Sequence, residues 1–258
     1  MTVTLDRRDH VATITLRRPE VKNALDLPTV ALLTAHLHTA AGDPEVRAIL
    51  LTGQGGAFSS GADLRSVDAA SLADPGARVD DFHAMIRAIV SAPQPVVALV
   101  DGPAVGFGAN LALCSDLVVA TDRAYFQMAF VRLGLVSDGG GTWLLPRLVG
   151  TARAMEMLLL AEKIPAQKAF EWGLVNRLVA PQEGPAEAQA LCDRLARGPA
   201  RAYARLKKIV RAAASSTLGA ALDAEKDAQV DALQGPEPPE GILAFMERRQ
   251  PDFRKVPR

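Results

Sequence analysis

Reactive and aromatic side chains are scarce in this chain. Two cysteines, Cys114 and Cys192, stand among 258 residues, too few for a disulfide framework and outside any CxxC or Cys/His metal spacing. No metal is expected, and a reducing, cytoplasmic setting is the simplest reading. Aromatic residues make up 5% of the chain, with two Trp and two Tyr, so base-stacking platforms built on exposed rings are not expected. Net charge is missing as well, because 29 Lys+Arg stand against 29 Asp+Glu. No global field draws the chain to nucleic acid or to an anionic membrane, so an anionic ligand has to be held by local groups. Long apolar runs are absent too. Val96–Val100 stops at Asp101, far short of the roughly 20 residues that span a bilayer, and Met1–Arg8 lacks the apolar stretch of a signal peptide.

What is present is core material. Hydrophobic residues reach 49% and charged residues 22%, the balance of a packed globular chain of one large domain, with or without a smaller appendage. Val3–Leu5 and Val11–Leu16 read as a β-hairpin in which Val, Ile and Leu alternate with Thr. Asp26 is placed to cap a helix through Leu27, Leu32, Leu33 and Leu37. Ala48–Thr52 and Val96–Val100 read as buried strands, with a helix over Asp80–Ser91 between them, and Leu117–Ala120 as another strand. Strands alternating with helices favour a mixed α/β core. After about Gly150 the pattern becomes helical, with little strand beyond Leu174–Val175.

Three segments carry candidate chemistry. Gly102–Gly108 follows a buried strand and opens a helix, where unpaired N–H groups can polarise a carbonyl or hold an anion. It lacks the Gly-Lys-Ser/Thr ending of a P-loop, and Leu111 stands where a dinucleotide fingerprint needs its third glycine. Taken alone, a tight strand-to-helix turn explains it adequately, through glycine's tolerance for unusual φ. Phe58–Leu64 superficially resembles a nucleophile elbow, but the one histidine after Ser59 is His83, too near in sequence for the hydrolase order. Leu135–Trp143 places Asp138 among small and apolar residues before a helix. Asp138 there is either an N-cap or a carboxylate whose pKa desolvation raises toward acid–base work. Arg197, Arg201, Arg205 and Lys208 form one stripe of a helix, a solvated face or a phosphate contact. His36 and His38 point apart and make a poor metal pair, and Cys114 reads as buried packing.

Taken in order, the motifs resemble the crotonase superfamily, the enoyl-CoA hydratase/isomerase family, over nearly the whole chain. The resemblance runs through Arg18-Pro19, Asn23-Ala24-Leu25, Phe58–Leu64, Asp101–Gly108, Ser115-Asp116, Leu133-Gly134-Leu135, Gly140-Gly141-Thr142 and Ala169–Val175. It implies an α/β, crotonase-like fold of repeated ββα units with a helical C-terminal region, divided as a core over 1–195 and a trimerisation region over 196–258. It also implies a homotrimer or hexamer acting on an acyl-CoA thioester, with no separate cofactor because CoA belongs to the substrate. The matching oxyanion-hole amides are those of Ala62 and Phe107. Such donors stabilise an enolate by about 3–4 kcal/mol each. Ala24, Ser60, Asp63, Leu64, Gly108, Asn110 and Phe130 take substrate-binding positions by the same likeness.

The two glutamates that hydratases of this family use align with Asn110 and Phe130, neither of which accepts a proton at neutral pH. Asp138 before Gly-Gly-Thr-Trp, with Asn110 on the helix, resembles the branch that isomerises ring-epoxidised phenylacetyl-CoA; related members shift Δ3 double bonds to Δ2. The expectation is therefore an isomerase with Asp138 as acid and base. Asn110 would orient substrate or water, and Phe130 would shape an apolar acyl pocket. Asp138 as a covalent nucleophile, an enoyl-CoA hydratase, and a non-catalytic acyl-CoA-binding member are the alternatives. Phe107 and Phe130 are the aromatic side chains expected near the acyl group.

Overall fold

The computed structural model describes residues 1–66 and 74–256; the last two residues of the expected C-terminal region lie outside them. Strands β1 (Val3–Arg8) and β2 (Val11–Leu16) form the expected hairpin, turned by Asp9 and His10 at positive φ. Strands β3 (Ala48–Gly53), β4 (Val96–Val100), β6 (Leu117–Thr121) and β9 (Arg177–Val179) continue the sheet in parallel, in the order β1-β2-β3-β4-β6-β9. A smaller sheet joins β5 (Pro103–Val105), β7 (Tyr125–Gln127) and β8 (Ile164–Pro165).

Both faces of the large sheet are covered, which is why its central strands read as unbroken apolar runs. Ile49, Leu51, Val96, Ala98 and Val100 face one core with helices α1 (Leu27–Gly42) and α2 (Pro75–Ser91). The alternate residues Ala48, Leu50, Val97 and Leu99 face Ala188, Leu191, Cys192 and Ala196, which belong to α6 (Gly184–Ala196). Period-two alternation thus assigns each strand residue to one of two cores.

Asp26 caps α1 as expected, accepting from the Thr29 amide at 2.9 Å. Helix α2 begins at Pro75 rather than Asp80, because Asp74 accepts from the Ala77 amide and Pro75 is preset for the first turn. The glycine turn contains β5 and then α3 (Phe107–Leu113). Helix α4 (Gly141–Leu160) bends at Gly150, and α5 (Ala166–Glu171) follows β8. The strand expected at Leu174–Val175 lies instead at Arg177–Val179. Gly173 at φ +83° ends α5, the Leu174 amide reaches back to the Ala169 carbonyl, and Leu174 and Val175 are buried as part of that helix stop.

Helices α7 (Ala200–Ala213), α8 (Leu218–Leu233) and α9 (Glu237–Met246) supply the helical C-terminal region. Two sets of contacts hold it to the core. The buried Arg47 guanidinium donates to the carbonyls of Ala196, Gly198 and Phe253. Asp116 joins Lys207 and Arg211 of α7 to the Val96 amide. The basic stripe is split between two helices: Arg197 is the exposed C-cap residue of α6, while Arg201, Arg205 and Lys208 lie on α7, where Lys208 is exposed and Arg205 pairs with Asp231 of α8.

Candidate active site

Two single-residue bridges bring the candidate loops together. Leu25 pairs with Ala62, and Ser59 with Ala104. In the first, the Leu25 amide donates to the Gly61 carbonyl and the Asp63 amide to the Leu25 carbonyl, at 2.8 and 2.9 Å. In a parallel bridge these flanking groups make the bonds, so the N–H of Ala62 itself points away from Leu25. The Phe107 amide is the first of α3, where no intrahelical acceptor exists. Among the described residues, neither amide has a protein acceptor. They lie close: a Cβ placed on Gly61 would sit 3.2 Å from the Phe107 nitrogen. Gly106, at φ 55°, donates to the Gln127 carbonyl and turns the chain into α3.

Close packing fixes this corner. A Cβ on Gly108 would lie 2.5 Å from the Ser59 carbonyl oxygen, so only glycine lets α3 approach the loop. Ser59 is fully buried; its hydroxyl donates to the Asn23 carbonyl and accepts from the Gly61 amide. It braces a turn. Ser60 is tied to Lys22 and Val21. The Ala24 carbonyl accepts from Arg18, whose guanidinium also pairs with Asp26 and Asp63. Burial opposes the charge on Asp63, but hydrogen bonds from the Arg65 side chain and amide and from Arg18 hold its carboxyl below the ordinary range. Asp63 is therefore engaged in holding its own loop. Leu64 beside it is 53% exposed.

Asp138 does not cap α4. Gly140, in the left-handed region, takes the N-cap position without a side-chain bond. One carboxylate oxygen of Asp138 is fully buried with no hydrogen-bond partner. Burial raises its pKa, with the nearby His83 and its own backbone acting the other way. Asn110, completely buried on α3, donates to the Asp138 carbonyl at 2.6 Å and to the Ser137 hydroxyl at 3.2 Å. The Asn110 amide NH2 thus holds the Asp138 loop, while its Oδ1 is buried without a hydrogen-bond partner.

The Phe107 ring is buried. It packs edge-on to Phe82 with centroids 4.8 Å apart, and it fills the space a Cβ on Gly139 would need. Phe130 is half-buried, its ring edge 4.0 Å from where a Gly106 Cβ would sit. Sequence reasoning passed over His83 as a site residue. On α2, it accepts from the Gly139 amide through Nε2 at 3.4 Å. No local motif links His83 to a loop 56 residues away; the helix periodicity that puts Phe82 in the core was the available signal.

Cys114 and Cys192 are buried, and burial pushes both thiols up to about 12, so neither is a nucleophile at neutral pH. Among the described residues no group of three or more His, Cys, Asp or Glu is placed to hold a metal ion, and no helix is long and apolar enough to cross a membrane.

Comparison with known proteins agrees with this arrangement. The family model described as enoyl-CoA hydratase/isomerase matches residues 6–256. A probable enoyl-CoA hydratase of Rhodobacter capsulatus is 45% identical, covering 98% of this chain and 97% of that protein. The 1,2-epoxyphenylacetyl-CoA isomerase of Escherichia coli K12 is 40% identical over 94% of each. The crystal structure of an enoyl-CoA hydratase from Polaromonas sp. JS666 superposes with a TM-score of 0.92 at 34% identity, over 97% of this chain and 98% of that one. The α/β architecture, the paired glycine loops and these likenesses together make the chain a member of the enoyl-CoA hydratase/isomerase family, with the crotonase fold.

Proposed function

We propose that this family member is an acyl-CoA isomerase in which Asp138 carries the proton. The carrying observation is the Asp138 carboxyl, partly buried with one oxygen enclosed and unpartnered, free of any cap and raised in pKa by that burial. Asn110 and Phe130 occupy the positions where the family resemblance expects two glutamates. The Ala62 and Phe107 amides would receive the thioester oxygen. Asp138 takes a proton from carbon, the electron pair moves onto that oxygen as a dienolate, and the same proton returns to a different carbon. Base and acid are one group, so one carboxyl suffices. Ala24, Ser60, Asp63, Leu64 and Gly108 serve by shaping and bracing the loops that present the amides.

The likeness to 1,2-epoxyphenylacetyl-CoA isomerase supports a ring-epoxide substrate beside linear Δ3-enoyl esters. Hydration is the second reading, favoured by the likeness to the Rhodobacter protein. A panel of acyl-CoA esters followed by mass spectrometry separates them, since isomerisation leaves mass unchanged and hydration adds water. We expect unchanged mass, and Asp138→Asn to lose turnover while still binding the ester. Near-normal turnover in that variant refutes the assignment.

The trimer or hexamer belongs to the same proposal, with residues 196–258 in assembly. Support comes from large apolar side chains left in solvent there: Leu218, Leu233, Phe245 and Met246 are each more than 60% exposed.

A further inference from the structure

One peptide group in the candidate site is held at both ends. The carbonyl of Asp138 and the amide of Gly139 belong to the same planar unit. Asn110 of α3 donates to the carbonyl at 2.6 Å, and His83 of α2 accepts from the amide at 3.4 Å. Two side chains from different helices therefore set the rotation of the plane that carries the Asp138 carboxyl. The ring of Phe107 lies under Gly139, and Phe82, next to His83, packs against that ring. The helices bearing both clamps are thus registered to each other through aromatic packing.

We propose that His83 is a pH-sensitive positioning residue: neutral, it latches the 138–139 peptide plane, and protonated, it releases it. The chemistry follows from the donor pattern. An amide N–H can be accepted only by an unprotonated ring nitrogen, so the latched state has its proton on Nδ1 and a bare Nε2. Protonation makes Nε2 a donor, and donor then faces donor. Gly139, at φ +63°, has the backbone freedom to turn away. The imidazolium then attracts the Asp138 carboxylate, the charged group set against it from the loop. On α2 itself, Asp80 and Arg87 lie one turn to either side. Asn110 does not titrate, so acid opens one clamp and leaves the other.

The inference rests on Asp138 as the proton carrier for its kinetic consequence, but the latch itself can be read without turnover. Nitrogen-15 NMR of the imidazole is expected to show the Nδ1–H tautomer at neutral pH; a neutral ring protonated on Nε2 overturns the latch whatever the reaction. In kinetics with a Δ3-enoyl-CoA, the acid limb of kcat is expected to be steeper than one proton, because acid both protonates Asp138 and releases it. His83→Gln, whose side-chain oxygen can still accept, should keep kcat near the wild-type level at neutral pH and flatten that limb to one proton. His83→Phe should lower kcat about tenfold with KM shifted by less than roughly twofold, the pattern of misplaced chemistry rather than lost binding. Identical pH profiles for wild type and His83→Gln overturn the proposal. If Asp138→Asn retains turnover while the Nδ1–H tautomer is found, the assignment of Asp138 as proton carrier fails and the latch stands.

Discussion

Adding one methyl group at Gly139 tests the geometry of the Asp138 loop. In Gly139→Ala the new Cβ would sit 2.6 Å from Cε2 of Phe107, with two more ring carbons within 3.1 Å. Phe107 is 2% exposed and backed by Phe82, so the ring cannot retreat. The backbone stays at φ +63°, a conformation that costs an L-residue about 1–2 kcal/mol, and forced overpacking adds about 1–3 kcal/mol. Together these give roughly 2–5 kcal/mol if the loop holds, and a Tm lower by on the order of 4–20 °C for a chain of this size. If the loop yields instead, the Asp138 plane shifts, and a displacement near 1 Å costs about a hundredfold in rate. Scanning calorimetry and acyl-CoA turnover measure the two branches together. Gly134→Ala is the matched control, because Gly134 has φ +69° but open space around its Cβ, so it bears only the backbone cost. A Gly139→Ala variant with both the Tm and the turnover of the control would refute the contact reasoning.

Two further outcomes follow from the same packing and electrostatics. The folded pKa of Asp138 lies above its ordinary 3.8, so the folded state prefers the proton; the stability it contributes is complete below 3.8 and is lost as pH rises through the folded value. Asp138→Asn should therefore gain in Tm over wild type as pH is raised from acid to neutral, measured by thermal melts across that range, even as turnover is lost. Gly108→Ala in α3 would gain about 1 kcal/mol from helix propensity alone. Here its Cβ meets the Ser59 carbonyl, which is backbone, so melts should instead show destabilisation by about 1–3 kcal/mol.

The sheet was legible in the sequence because its strands are buried on both faces, and Val96–Val100 or Ala48–Thr52 can be read without knowing their neighbours. Asp26 was legible as a cap because the amide that donates to it lies three residues on. Helix α2 was read late because the apolar periodicity begins near Phe82, while the Asp74-Pro75 start signal stands ahead of it. Leu174 and Val175 misled because burial at a helix stop and burial in a strand leave the same residues apolar. The role of Asp138 turned on whether it capped α4, and that depended on Gly140 adopting the left-handed region, which no pattern of side chains reveals. Asn110 and His83 were beyond local reading for another reason: the contact they share with the loop is one peptide group, and peptide groups carry no sequence.

Ala62 and Phe107 offer main-chain hydrogens, and this shapes how the corner can be interrogated. Exchanging side chains at position 62 leaves its N–H in place, so a library of substitutions there reports on how the partly buried Ala62 packs against the core and not on that hydrogen. Proline is the informative member of such a library, since it alone deletes the hydrogen, and an amide-to-ester replacement made by chemical ligation deletes it without changing the side chain. The effect of a side-chain exchange at position 62 is therefore no measure of the hydrogen its main chain offers, a group the genetic code can hardly alter.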